Sequence, residues 1–234
     1  MRKNVPEISP VSRTKEEARR NYNRLGRLYD LFEGMWERKY RKAGLRLLDV
    51  QPGERVLDVG CGTGAALIPL AEAAGPEGKV YGIDIAEEMI AVSARRADRA
   101  GFADRIELVR GDAAELSWSG GTFDAVFMSF TLELFDTPEI PRVLGECRRV
   151  LKKEGRICVV SLARRVEEGR VSLMQKLYEW GHRKFPKLLD CRPIPSHRFL
   201  KETGFAIGTR EPYSMAGLPV DVVLAFPEDL DTAR

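Results

Sequence analysis

Gly60, Gly62 and Gly64 stand at alternate positions in the run Val56-Leu57-Asp58-Val59-Gly60-Cys61-Gly62-Thr63-Gly64, just after its apolar half. The next residues, Ala65-Ala66-Leu67-Ile68-Pro69-Leu70-Ala71, have the composition of a helix. A buried strand that turns at once into a helix needs residues that accept positive φ. Glycine accepts it, and without a Cβ it also lets the main chain approach a neighbour closely. The turn predicts a ligand seated on bare backbone at the edge of an α/β sheet.

The charge around the turn narrows the ligand. Read as Gly60-x-Gly62-x-x-Ala65, the loop fits the dinucleotide fingerprint, and Asp84 lies 20 residues past Gly64, where an acid for a ribose belongs. Yet Val56 through Ala74 contain no Lys or Arg, and Asp58 puts a carboxylate at the strand end, where it would repel a pyrophosphate. A ligand carrying an ammonium and a sulfonium suits the turn better. Lys79-Val80-Tyr81-Gly82-Ile83-Asp84-Ile85 reads as a second strand ending in an acid that can accept two ribose hydroxyls. Met89, on the helix that follows, is placed to cover a purine. Arg105 to Arg110 reads as a third strand, closed by Gly111-Asp112-Ala113, whose acid can accept from an adenine amine.

In these motifs the chain resembles the class I S-adenosylmethionine-dependent methyltransferases. The likeness covers about residues 54–226 and includes Val-Leu-Asp-Val-Gly-Cys-Gly-Thr-Gly (56–64), Gly-Ile-Asp-Ile (82–85), Gly-Asp-Ala (111–113), Phe-Asp-Ala-Val-Phe-Met-Ser-Phe (123–130) and Leu-Lys-Lys-Glu-Gly-Arg (151–156). Within that superfamily it is most similar to the ubiquinone/menaquinone biosynthesis C-methyltransferase branch. The resemblance implies S-adenosylmethionine as cofactor, touched by the backbone at Gly60, Cys61 and Gly62. It places Asp58 near the methionine amino group, Asp84 with Ile85 at the ribose, and Gly111, Asp112 and Ala113 at the adenine, with Met89 close by. It also implies a Rossmann-like three-layer sandwich around a mostly parallel seven-stranded sheet that ends in an antiparallel hairpin.

The pattern along the chain is consistent with that fold. Strands are expected near 55–60, 79–85, 105–110, 123–129 and 155–161, and helices near 64–74, 86–101 and 138–152, an alternation that implies a parallel sheet covered on both faces. Residues 205–213 and 221–226 read as two more strands, joined by a turn at Ser214–Pro219 too short for a crossover, hence antiparallel. A nicotinamide-binding Rossmann domain lacks such a hairpin, which weighs against a dehydrogenase.

Methyl transfer from a sulfonium needs an in-line approach with water excluded, more than a catalytic triad. Ser129, Phe130 and Thr131, at the end of the fourth strand, fall near the expected sulfonium. Glu133 stands where related methyltransferases often carry histidine; it is a candidate base for a phenolic or enolic acceptor, or a surface acid. His182 and His197, the two histidines, are further acid/base candidates, and His197 reads as near the start of the last helix. Tyr22 and Tyr29 lie in a segment similar to one that closes over the cofactor in this branch, and either could reach the cofactor carboxylate or simply pack.

At 234 residues and 44% hydrophobic content the chain can bury one α/β core. We expect a helical cap over residues 1–50 and a methyltransferase domain over 51–234, with an insertion at 164–196 that forms an acceptor lid. Cys61, Cys147, Cys158 and Cys191 show no metal-like spacing, so neither a metal nor a disulfide framework is expected, and Cys147 and Cys158 read as buried. Lacking an apolar membrane-spanning run or a signal-like amino terminus, the chain is expected in the cytoplasm. Net charge is +3, but residues 13–46 hold eleven Lys/Arg against five Asp/Glu. That basic, aromatic segment suits a membrane surface or an ordinary amphipathic cover; no nucleic-acid-binding module is apparent. The expected partner is a small, hydrophobic methyl acceptor, with a quinone ring carbon foremost. A lipid or amine N- or O-methyltransferase and a non-catalytic S-adenosylmethionine-binding module are the alternatives.

Overall fold

The computed structural model describes residues 16, 17, 20, 29–164, 178, 181 and 191–228. Its centre is β1 (Arg55–Val59), whose short apolar run is hydrogen-bonded in parallel on one side to β2 (Lys79–Asp84) and on the other to β4 (Phe123–Ser129). β3 (Ile106–Arg110) pairs in parallel with β2, and β5 (Leu151–Leu162) with β4. The seven-stranded sheet runs β3-β2-β1-β4-β5-β7-β6. Strand order reverses between β1 and β4, so the crevice beyond their carboxyl ends is where an open α/β sheet takes its ligand.

Helices cover both faces. Val56, Phe127, Val160 and Val222 pack beneath α1 (Tyr29–Leu48), α2 (Leu67–Ala74) and α3 (Glu87–Arg99). Leu57, Val126, Met128 and Val159 pack on the opposite face beneath α4 (Ile140–Val150) and α5 (Ser196–Glu202). The expected three-layer arrangement is thus the observed one. Cys147 and Cys158 are both fully buried within it.

α1 lies flat on the sheet. A Cβ on Gly44 would fall 2.5 Å from Val160 Cγ2 and 3.0 Å from Phe127 Cε2, so only glycine permits this approach. At the far end of the helix, Arg156 donates to the carbonyls of Leu48 (2.6 Å) and Asp49 (2.7 Å) and pairs with Glu54 through both terminal nitrogens (2.8 Å each). Tyr40, two turns earlier, donates from its hydroxyl to the Ser214 carbonyl (2.7 Å) and meets Phe130 edge-on. The helix therefore runs antiparallel to β1, its earlier residues toward the carboxyl edge.

Several boundaries differ from the sequence expectation. The helix expected from residue 64 starts at Leu67, because Gly64 sits at φ +79 and cannot continue one. β5 begins at Leu151 rather than near 155, since Leu151 already pairs with Phe123 before a register shift. That shortens the helix expected over 138–152 to Ile140–Val150. The terminal hairpin is longer than expected: β6 (Phe205–Met215) and β7 (Leu218–Pro227) run to a two-residue turn. Ala216 (φ +48) and Gly217 (φ +85) are both left-handed there, the geometry that matches the twist of a tight hairpin.

Candidate functional site

The glycine loop is folded back onto the end of β2. The N–H groups of Gly60 and Cys61 both donate to the Ile83 carbonyl (2.8 and 3.0 Å), Gly62 N–H donates to Asp84 Oδ2 (2.9 Å), and Gly64 N–H to the Cys61 carbonyl (2.9 Å). Ser93 and Arg96, one turn apart on α3, hold the loop through the Gly62 carbonyl (2.7 Å) and the Thr63 hydroxyl (3.3 Å). Gly60, Gly62 and Gly64 all have positive φ. Their surroundings differ. A Cβ on Gly60 would strike Thr131 Cγ2 at 2.2 Å, whereas one on Gly62 would meet nothing within 4 Å. Gly62 therefore offers bare backbone to the crevice.

Because four of the loop's donors are spent within the fold, what the turn offers a ligand is acceptors and acid. Asp58 is buried at the end of β1, and its carboxyl is pushed up to about 7, first by burial, with the Arg41 charge opposing and Asp84 adding. Asp84 accepts from Gly62 and from Ala86 N–H (2.9 Å) through different oxygens; burial raises its carboxyl while those N–H groups oppose the rise. The tie that holds the loop is thus made by Asp84. Each Asp84 oxygen keeps a further lone pair for a hydroxyl.

The other sequence candidates near this edge are brought together around the loop. Gly111 N–H donates to the Asp84 carbonyl (3.0 Å), placing the Gly111-Asp112-Ala113 corner beside the end of β2. Asp112 Oδ1 caps Ala114 N–H (3.0 Å), and Ala113 is buried. Ile85 is half-buried just past β2, and Met89 is buried in the first turn of α3 yet belongs to neither hydrophobic cluster. The Cys61 thiol packs in the core beside Gly82 of β2, and burial with the two acids pushes it well above the usual range. Ser129 Oγ is buried at the end of β4 with no hydrogen bond among the described residues.

Beyond β4 the chain takes a strained step. Phe130 is left-handed (φ +52), and Thr131 then turns its hydroxyl toward the Gly60 (3.3 Å) and Ser129 (3.1 Å) carbonyls. Glu133 follows in a short 3-10 turn (Leu132–Leu134) and is fully buried. Its Oε1 accepts from Leu162 N–H (3.0 Å), Oε2 has no partner among the described residues, and burial pushes the carboxyl up to about 8. Arg192, also buried, donates to the Phe135 carbonyl and the Thr137 hydroxyl (2.9 Å) and opposes that rise. Ile194 N–H donates to the Leu162 carbonyl (3.0 Å), seating residues 191–195 beside the end of β5. His197 is at the start of α5, as expected. His182 and Tyr22 lie outside the described residues, as do the Tyr29 side chain and most of the 164–196 insertion.

Several residues at this edge gave no local signal. Arg41, Ser93, Arg192 and the Ser161–Ser196 hydroxyl pair (3.0 Å) reach it from distant parts of the chain. Neither does Asp221, buried in β7 and paired with Arg210 (2.8 Å), announce itself among apolar strand residues.

A methyltransferase-domain family model matches residues 56–155, the span that carries the loop, Asp84, Asp112 and Glu133. That match is to a methyltransferase domain and spans less than half of the chain. The chain is 41% identical to demethylmenaquinone methyltransferase of Bacillus mycoides over 118 residues, 50% of this chain and 48% of that protein. To nocamycin O-methyltransferase of Saccharothrix syringae it is 40% identical over 136 residues, 58% of this chain and 48% of the relative. It thus spans about half the length of these curated relatives. Among solved structures, magnesium protoporphyrin IX methyltransferase of Synechocystis PCC 6803, crystallised with S-adenosylhomocysteine, superimposes with a TM-score of 0.70 at 20% identity, covering 92% of this chain and 100% of that one. At that identity the likeness speaks for the methyltransferase fold alone. No described helix is long and apolar enough to cross a membrane.

Proposed function

We propose that this chain transfers a methyl group from S-adenosylmethionine to a small hydrophobic acceptor, and that a quinone or hydroquinone ring carbon is the atom methylated. The observation that carries the cofactor half is the commitment of the Gly60, Cys61, Gly62 and Gly64 N–H groups within the fold, beside the buried Asp58 and the half-buried Asp84. A phosphate would find most of the loop's main-chain donors committed and two acids facing it, whereas a cationic nucleoside finds carboxylates and carbonyl oxygens. Asp58 holds the ammonium, Asp84 the ribose hydroxyls, and the 111–113 corner with Met89 the adenine. Gly62 lets the nucleoside lie against main chain.

The cofactor supplies an electrophilic methyl on positive sulfur, and the balanced reaction yields S-adenosylhomocysteine, the methylated acceptor and one proton. The chain's contribution is position. Ser129, Phe130 and Thr131 hold the acceptor at the end of β4, in line with the methyl. Glu133 and His197 border that edge; Glu133, enclosed and bonded to Leu162, braces the acceptor wall rather than exchanging protons with solvent. The ring-carbon reading is supported by the likeness to demethylmenaquinone methyltransferases. The likeness to nocamycin O-methyltransferase supports oxygen methylation as a second reading.

Release of S-adenosylhomocysteine, followed against a panel of demethylated quinones, phenols and lipid amines, tests the proposal. Turnover with a quinone and a new ring-methyl signal by NMR is the expected result. A new O-methyl signal selects the second reading. Cofactor binding without turnover on the whole panel leaves a binding module and overturns the catalytic proposal.

A further inference from the structure

The described side chains of α1 divide into two faces. Tyr40, Ala43, Gly44 and Leu48 are buried against the sheet, and the exposed positions from Glu37 to Leu48 are Arg38, Lys39, Lys42 and Arg46. All of them are cations, with no exposed acid among them. Arg46 pairs with Glu211 of β6 (2.7 Å), while Lys42 and Arg38, each one turn earlier, carry the stripe outward toward the start of the helix. A helix face that only had to stay in water would gain more from mixed charges.

Beside this stripe stands a hairpin tip of opposite character. Lys39 lies two turns before Arg46 on the same side of the helix, which carries it about 10 Å along β6 from Glu211, to the level of the turn that follows. Because Leu162 at the end of β5 pairs with Val220, that turn is at the carboxyl edge, where the crevice opens. Its residues, Ser214-Met215-Ala216-Gly217-Leu218-Pro219, include no charge. Ala216 and Gly217 are exposed, and Met215 and Leu218 are only partly buried against the α1-side cluster. Ala216 is left-handed (φ +48), a conformation that Asn, Asp or Gly adopts with less strain. An apolar residue thus holds a strained, solvent-facing position that a polar one would fill more easily.

Cations flanking an uncharged prominence match an anionic bilayer, whose phosphates meet the stripe while the tip enters the interface. We propose that Arg38, Lys39 and Lys42, together with the 215–218 hairpin tip, form a docking surface for anionic lipid membranes and turn the mouth of the crevice toward the bilayer. The surface is independent of the cofactor reading. Its use, delivery of a hydrophobic acceptor from the lipid, rests on the acceptor class proposed above.

Flotation of the full chain with vesicles of phosphatidylcholine, alone or mixed with phosphatidylglycerol, tests this without cofactor or acceptor. Wild-type chain should bind the mixed vesicles, come off them as salt shortens the Debye length below about 10 Å, and leave phosphatidylcholine alone unbound. The triple variant Arg38→Gln, Lys39→Gln, Lys42→Gln should bind about 100-fold more weakly, roughly fivefold for each cation. Ala216→Asp charges the tip with a residue type that accepts the left-handed region, so binding should fall about fivefold at an unchanged melting temperature. Equal binding to both vesicles, binding to neither, or wild-type affinity in either variant overturns the proposal. So does a preference for a DNA duplex that the triple variant loses, which would assign the stripe to nucleic acid. None of these results bears on methyl transfer, whose own failure is read from S-adenosylhomocysteine release.

Discussion

The two halves of the carboxyl edge are built on different plans. At the β1–β2 half, main-chain donors close onto the end of β2: Gly60 and Cys61 with Ile83, Gly62 with Asp84, Gly111 with Asp84. At the β4–β5 half, contacts join residues far apart in the chain: Glu133 with Leu162, Arg192 with Thr137, Ser161 with Ser196. The first half is a fixed backbone mould with acids at its rim, suited to one unvarying ligand. The second is a buried polar assembly of side chains, including a Glu133 oxygen without a partner among the described residues. Such an assembly can be re-specified by single substitutions, which suits the side that must fit an acceptor.

The largest effect that would break this contrast is expected at Gly60. An alanine there must adopt φ +69 and drive its methyl into Thr131, the residue that links the two halves. Left-handed strain and overpacking together should cost about 2–5 kcal/mol, a fall in melting temperature of roughly 5–15 °C. Gly62→Ala is the informative partner. It carries the strain, about 1–2 kcal/mol, but no clash, so it should remain folded while losing S-adenosylhomocysteine binding by more than about tenfold. Equal melting temperatures for the two variants would contradict the mould.

Next in size is the removal of Asp84, which holds Gly62 and Ala86 and retains lone pairs for a ligand. Asp84→Ala should weaken both S-adenosylhomocysteine and 5′-methylthioadenosine about 10- to 100-fold, since both carry the ribose. Retained affinity for either, by calorimetry, would remove Asp84 from the ribose site.

Asp58 gives a smaller effect with a definite pH signature. Its folded carboxyl titrates near 7, above the ordinary carboxylate value of 3.8, so the folded chain binds this proton more tightly than the unfolded one. The associated stability is therefore lost as pH rises from about 4 to about 7. A ligand ammonium needs the ionised form. Affinity should thus rise about tenfold between pH 6 and pH 8, with a proton released on binding at pH 6. In Asp58→Asn the pH dependence should vanish, binding should weaken, and the ligand-free chain should melt higher at pH 8.

How far the sequence could be read follows from the same contrast. The loop, the strand-end acids and the parallel strands each carry a signature within their own few residues, and the glycines, the apolar runs and the acids that follow them display it directly. Where the reading went astray, a backbone conformation or a distant partner decided the boundary. The 64–74 helix starts late because of Gly64, β5 extends because Phe123 is available to pair with Leu151, and the hairpin tightens because Ala216 joins Gly217 in the left-handed region. Glu133 could be named as a candidate but not placed, because its burial depends on Leu162 and Arg192. Arg41 carried no signal at all in a helix where basic residues are common. Only the antiparallel run of α1 across β4 gives it a location.

The smallest expected effect sharpens the acceptor half. Glu133 is held near 8 by burial, so at neutral pH it is largely protonated, and as with Asp58 the folded state binds its proton more tightly than the unfolded state. Its contribution therefore diminishes as pH climbs from about 4.5 toward 8, and glutamine, which keeps the shape and cannot ionise, should remove that slope. Between pH 6 and pH 8 the melting temperature of Glu133→Gln should change less than that of wild type. The gain at pH 8 should be on the order of 1–2 kcal/mol, or a few degrees, after relaxation around the charged form. A brace of this kind leaves turnover within about threefold. A general base in the same place would be revealed by a loss of about 10²- to 10⁴-fold and by removal of a limb of the pH–rate profile. Glutamine is the discriminating substitution because it preserves the bond from Leu162 N–H: the enclosed carboxyl can then be stripped of its proton chemistry while its hold on β5 remains.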